Sequence, residues 1–169
     1  KVKKVLIFIF LFKFAHINMT TKEKKFTLGS WITIGHPSIA EVMCEAGFDW
    51  LCIDIEHSQI DINSLLNLII AIQGKKMKAY VRVGSNDIVE IKRVLDIGVD
   101  GIMIPMISSR ADAEAAVKYC SYPPDGLRGV SGICRASDYG LREEYLIQAS
   151  NEINILAQVE NLDGLKNLE

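Results

Sequence analysis

The sequence predicts an α/β protein of the (β/α)8 barrel class, carrying the units up to about the fifth strand, and three observations lead there. From Leu28 onward, short apolar runs alternate with stretches of helical period, the signature of βαβ units around a parallel sheet. The stretches "AGFDWLCID" and "IGVDGIMIP" follow one plan: a glycine that ends a helix, an apolar residue, Asp, one more residue, then an apolar strand. No edge strand or closing element follows the fifth unit, whereas such barrels typically need about 250 residues. The competing class is a complete doubly wound sheet of five strands. Against it, no G-x-G-x-x-G follows the first strand, and "GLRGVSG" falls between two helices, the wrong setting for a phosphate loop.

The elements follow in order. "GSWITIG" reads as the first strand, and "SIAEVMCEAG" as an amphipathic helix with Ser38 as N-cap and Gly47 at its end. "DWLCIDI" is the second strand and "DINSLLNLIIAIQGKK" the second helix, with Leu65, Leu66, Ile69 and Ile72 on one face. "KAYVRVG" is the third strand and "DIVEIKRVLDIG" the third helix. "DGIMIPMI" is the fourth strand, with Pro105 marking its exit because proline cannot donate to a ladder. "SRADAEAAVKYC" forms the fourth helix, opening at Ser109 with Asp112 and Glu114 near its positive end. After the turn-rich "SYPPDGLRGVSG" come a helix in "REEYLIQAS", the fifth strand in "INILAQVE" and the start of another helix in "NLDGLKNLE".

Residues 1–18 stand outside this pattern. "KVKKVLIFIFLFKF" has the basic start and apolar run of a secretory signal, but no small-residue cleavage motif follows. The run is also too short to cross a bilayer, which takes about 20 residues. With Met19 as a plausible start, residues 1–18 are expected to be extraneous and residues 19–169 to form the N-terminal part of the barrel. A formal charge of -2, with no basic stripe interleaved with aromatics, argues against nucleic acid and for small-molecule partners. Cys44, Cys52, Cys120 and Cys134 are scattered without a C-x-x-C pair, which argues against a disulfide framework or a zinc site and fits a reducing, cytoplasmic setting without stable membrane association.

Barrel enzymes place their working groups where strands end. Here the second strand ends at Asp54, Glu56 and His57, the third at Arg82, the fourth at Pro105 and Met106, and the fifth at Gln158 and Glu160. Each has a plain structural alternative: helix capping for Asp54 and Glu56, a satisfied loop histidine for His57, a helix-start carboxylate for Glu160. Arg82 is costly in a strand without an anionic partner, so it calls for a ligand or an ion pair. Taken together, four consecutive exits deliver acid, base and cation to one rim. No lysine stands at an exit, since Lys78 enters its strand, and this disfavours a Schiff base. Carboxylates with a histidine and an arginine suit a divalent cation that polarises a carbonyl, a base for the proton alpha to it and a cation for the enolate oxygen. Oxygen ligation would favour Mg²⁺ or Mn²⁺.

"AGFDWLCIDIEHS", "YVRV", "IKRVLDIGVDGIMIPM", "YPPDGLRGV" and "AQVE" together resemble the HpcH/HpaI aldolase family from about Thr27 onward. The resemblance implies a (β/α)8 barrel, usually a hexamer, that reversibly cleaves 4-hydroxy-2-oxo acids to pyruvate and an aldehyde with a divalent metal. It implies that His57 is the base and that Arg82 holds pyruvate and its enolate. Gln158 falls on the substrate side and Glu160 on one of two metal carboxylates. Asp54 is similar to the aldehyde-side aspartate, and Asp96 to the aspartate paired with the catalytic histidine. Because Asp96 falls near the end of the third helix, toward the other face, it is expected to serve only a neighbouring subunit's site. Two departures stand out: the family's second metal carboxylate lies beyond Glu169, and "IDIEHS" has Ile55 and Ser58 where many members have Gly and Ala, which bears on the aldehyde. The alternatives are another carbon–carbon lyase or mutase of the phosphoenolpyruvate or citrate-lyase-like barrels, and an inactive binding barrel.

Overall fold

The computed structural model describes residues 6–8 and 26–168. Its strands are β1 (Leu6–Phe8), β2 (Gly29–Ile32), β3 (Trp50–Asp54), β4 (Lys78–Arg82), β5 (Gly101–Ile104) and β6 (Asn154–Gln158). The helices are α1 (Pro37–Cys44), α2 (Ile62–Gly74), α3 (Ile88–Asp96), α4 (Arg110–Cys120), α5 (Tyr145–Glu152) and α6 (Leu162–Lys166), with a 3-10 segment at Arg135–Gly140. All pairings are parallel, in the order β1-β6-β5-β4-β3-β2. From β2 to β6 the strands therefore sit side by side in chain order. A doubly wound sheet reverses direction at a switch point, and this one does not, so the wall is that of a barrel.

The strands read as apolar runs because both faces are covered. One face, with Leu51, Ile53, Ala79, Val81, Ile102 and Ile104, packs on the helices. From α2 it meets Leu65, Leu68, Ile69 and Ile72, all fully buried, each of which stabilises the fold by about 1.5–3 kcal/mol relative to exposure. Leu68 thus takes the central place on this helix, and Leu66 only flanks the core. The other face carries Cys52, Met103 and Leu156, with Trp31, Trp50 and Tyr80 against them. Two glycines make room there. A Cβ on Gly29 would lie 2.1 Å from the Trp50 ring, and one on Gly101 2.3 Å from the Tyr80 ring, each ring belonging to the residue paired across the ladder.

The caps are side chains that take up the first free N–H groups of a helix. Asp61 caps α2, Asp87 caps α3, and Ser109 with Asp112 forms a reciprocal capping box on α4. The expected Ser38 cap on α1 is corrected to His36, whose Nδ1 accepts from the Ser38 N–H at 3.2 Å while Pro37 takes the first helical position. A second difference lies at the chain's start, where Leu6–Phe8 lines up parallel with Leu156–Gln158 inside the segment expected to be extraneous. An apolar run with strand-forming residues beside the open edge of β6 accounts for the pairing. Among the described residues, no helix is long and apolar enough to cross a membrane.

Candidate active site

Alternation along the strands builds the site. Trp50 and Cys52 face the barrel interior, so Asp54, two positions further, does too; the same count from Tyr80 reaches Arg82 and from Leu156 reaches Gln158. Each of these three ends its strand, at the edge where barrel enzymes work. Asp54 and Arg82 are also direct partners in the β3–β4 register, which brings the carboxylate beside the guanidinium.

Their contact is a two-point ion pair. Arg82 Nε donates to Asp54 Oδ1 at 3.0 Å and Nη2 to Oδ2 at 2.6 Å. Asp54 Oδ1 also accepts the backbone N–H groups of Glu56, at 3.0 Å, and His57, at 3.2 Å. Asp54 is 3% exposed, enclosed beneath Arg82 and the loop that follows β3. The guanidinium carbon lies 4.6 Å from the Trp31 ring centroid, a cation–π contact, and Arg82 Nη1 is left without a hydrogen-bond partner among the described residues.

Burial alone would push the Asp54 carboxyl up. The Arg82 hydrogen bonds, the His57 N–H, the Arg82 charge and the Glu56 N–H outweigh it and leave it below the usual carboxylate range. Burial likewise works against the charge on Arg82, but the Asp54 hydrogen bonds and the charges of Asp54 and Glu56 raise its pKa on balance. Because the folded pKa of Asp54 is lowered, its contribution to stability is fully present above its unfolded value of about 3.9 and disappears as pH falls through the folded value. Thermal melts of the native protein and of Asp54→Asn should accordingly differ most near neutral pH and converge in acid below that value. A gap that stays constant down to acid pH would mean that ionised Asp54 contributes nothing.

The neighbouring groups are less enclosed. The His57 side chain is 69% exposed, with Nε2 3.5 Å from Glu56 Oε1. Glu56 Oε2 lies 3.2 Å from Arg82 Nε. On β6, the Gln158 amide donates to Glu160 Oε2 at 2.8 Å, and the Met106 N–H donates to Glu160 Oε1 at 2.7 Å, Met106 having a left-handed φ of 55°. Inside the barrel, burial pushes the Cys52 thiol up to about 12 even with Arg82 near, so it stays protonated and is no nucleophile. Lys78 begins β4, at the opposite end of the strands from Arg82.

Asp54, His57, Arg82, Gln158 and Glu160 are thus all at the exits of β3, β4 and β6. Asp96 is not with them. It ends α3, at the end of the sheet where β5 begins, and its Oδ1 accepts from Nη2 of the fully buried Arg128 at 2.8 Å. Glu56, expected at this exit, lies between His57 and Arg82, and one residue outside the expected set contributes: Trp31, whose position on the inner face of β2 follows from its pairing with Cys52.

The HpcH/HpaI aldolase/citrate lyase family model matches residues 27–169. The chain belongs to this family. A 5-keto-4-deoxy-D-glucarate aldolase of Escherichia coli is 39% identical over 146 residues, which make up 86% of this chain and 57% of that protein. The chain therefore spans little more than half the length of such relatives. An HpcH/HpaI aldolase/citrate lyase family protein from Burkholderia cenocepacia superposes with a TM-score of 0.80 at 36% identity, over 83% of this chain and 58% of that one. An HpcH/HpaI aldolase from Desulfitobacterium hafniense gives 0.74 at 28% identity, over 84% and 56%.

For an HpcH/HpaI chain the question is whether the rim suits a divalent cation. Among the described residues, no three His, Cys, Asp or Glu side chains cluster as a metal site. The donors at hand are hard oxygens, however. Glu160 is held by two N–H groups that each leave its oxygens further lone pairs, and the Gln158 Oε1 beside it is buried without a hydrogen-bond partner among the described residues. Oxygen donors of this kind fit Mg²⁺ or Mn²⁺, and Glu160 could supply part of such a set.

Proposed function

We propose that the protein is a divalent-cation-dependent aldolase that cleaves 4-hydroxy-2-oxo acids to pyruvate, or a related 2-oxo acid, and an aldehyde, and also runs the reverse addition. The observation that carries this reading is the Arg82 guanidinium, fixed at the inner rim by Asp54 through Nε and Nη2, with the exposed imidazole of His57 on the adjoining loop. In the cleavage direction His57 takes the proton of the 4-hydroxyl as the C3–C4 bond breaks. The electron pair of that bond passes into the enolate of the 2-oxo acid, whose oxygen Arg82 holds. The proton on His57 then returns to C3, which becomes the methyl group of pyruvate. Asp54 keeps the Arg82 fork in place, and Trp31 covers the guanidinium's face. A bound cation, held by Glu160 with other oxygen donors, supplies Lewis-acid polarisation of the 2-oxo carbonyl. The name of the Escherichia coli relative supports a sugar-acid substrate, hence a polar aldehyde half.

The working form we propose is a cytoplasmic homo-oligomer, a hexamer as in the family. Exposed Leu127, Val130, Ile133, Leu141 and Ile147, all between α4 and the middle of α5, support an assembly that covers them.

Pyruvate release from a 4-hydroxy-2-oxo acid, followed with lactate dehydrogenase, tests the activity. The role of His57 is isolated by exchange of pyruvate's methyl protons in deuterated buffer, a half-reaction that needs no aldehyde. His57→Ala should slow that exchange by about 10²- to 10⁴-fold, the usual weight of a positioned base. Normal exchange in the variant would reduce His57 to an ordinary loop histidine.

A further inference from the structure

Arg128 is a fully buried cation that the rim does not use. Its Nη2 donates to Asp96 Oδ1 at 2.8 Å and to the Tyr145 hydroxyl at 3.3 Å, and the guanidinium carbon lies 4.4 Å from the Tyr122 ring centroid. Nε and Nη1 are buried without a hydrogen-bond partner among the described residues. For stability alone this is a poor arrangement, because a buried ion pair replaced by well-packed apolar groups often leaves a protein as stable or more so. Nor is the side chain needed to hold its own loop. The Leu127 N–H donates to the Lys118 carbonyl at 2.7 Å and the Arg128 N–H to the Ser121 carbonyl at 2.9 Å. A Cβ on Gly126 would lie 2.2 Å from the Ser121 carbonyl oxygen, so the backbone already packs closely there.

What the guanidinium does fix is Asp96. This carboxylate ends α3, is partly exposed, and has no hydrogen-bond partner for Oδ2 among the described residues. Val89, Arg93 and Asp96 share one face of α3 by their spacing of four and three. Val89 is exposed, as are Leu127 and Val130 on either side of Arg128. Asp96 therefore stands among apolar residues that an assembly would cover, and a carboxylate covered by a second copy needs a donor from that copy. We propose that Arg128 is a positioning residue, which holds Asp96 by Oδ1 and presents Oδ2 across the contact between two copies to the rim of the second. This role rests on Asp96 serving a neighbouring copy's site, as the family resemblance implies, and the test separates the two.

Arg128→Met fills the space without a donor. It should assemble as the native protein does and keep its KM for a 4-hydroxy-2-oxo acid, while kcat falls by about 10²-fold, the cost of misplacing a working group by roughly 1 Å. Asp96→Asn should fall at least as far, and the double variant no further than Asp96→Asn, because the two side chains act as one unit. Reassembly of Arg128→Met with His57→Ala from a dissociated one-to-one mixture should restore turnover well above that of either alone. Some sites then join an intact His57 on one copy to an Asp96 held by an intact Arg128 on the other. If Arg128→Met does not fold, Arg128→Lys, which keeps the charge but not the planar fork, takes its place in each measurement. Losses that add in the double variant overturn the proposal, and so does a native kcat in Arg128→Met beside a loss in Asp96→Asn. A mixture with His57→Ala that rescues Asp96→Asn but not Arg128→Met would confine Arg128 to its own barrel and overturn it too. Native kcat in Asp96→Asn would remove Asp96 from any site, and the role of Arg128 with it.

Discussion

Arg82→Ala should lower kcat by about 10²- to 10³-fold, because it removes a donor aimed at charge that grows only in the transition state. The same substitution has a structural cost that must be separated from the chemical one. Asp54 is buried and gives both oxygens to Arg82, so removing the guanidinium leaves an uncompensated carboxylate. Breaking a buried pair from one side typically destabilises by about 3–5 kcal/mol, a large part of a domain's margin. Arg82→Ala combined with Asp54→Asn removes both charges and should recover much of the stability while recovering none of the turnover. Arg82→Lys should restore little of either, since a point charge on a flexible stem does not reproduce the planar fork that meets Asp54 at two atoms. If the double variant were folded and turned over at near-native rate, the enolate oxygen would have to be held elsewhere.

The sequence makes the strand exits legible because two simple rules coincide: apolar runs mark buried strands, and barrel chemistry lies where they end. Asp54, Arg82 and Gln158 could be placed on one rim by those rules without any knowledge of contacts. Which groups touch is a matter of register. That Asp54 lies directly across from Arg82, and is therefore enclosed by it, depends on how β3 and β4 pair, and no local pattern specifies this. The stacking of Trp31 on Arg82 depends on β2–β3 pairing in the same way. The α1 cap is a different kind of miss. Serine is the commoner cap, but Pro37 is at home at the first helical position, and that points one residue back to His36. Asp96 follows from topology alone: a residue at the end of a helix in a β/α unit returns to the edge where the next strand begins, far from the exits.

Removal of divalent cations should take activity to background, and Mg²⁺ or Mn²⁺ should restore it. What the chain offers to stabilise an enolate decides the route. A covalent route needs an amine at the rim, and Lys78 begins β4 at the opposite end. A thiolate route needs an ionised cysteine, and burial keeps the Cys52 thiol protonated. The rim instead holds oxygen donors: Glu160, oriented by the Met106 N–H and the Gln158 amide, and the Oε1 of Gln158, which has no hydrogen-bond partner among the described residues. Glu160→Gln keeps the size of the side chain and removes its charge, so it should raise the cation concentration needed for half-maximal activity by at least the 10- to 100-fold that is typical when even an outer partner of a metal site is lost. Borohydride added during turnover should leave no covalent adduct, because no imine forms. A borohydride-trapped lysine, together with activity that survives EDTA, would replace this mechanism with the Schiff-base one and would leave Glu160 as a residue that fixes the turn at Met106.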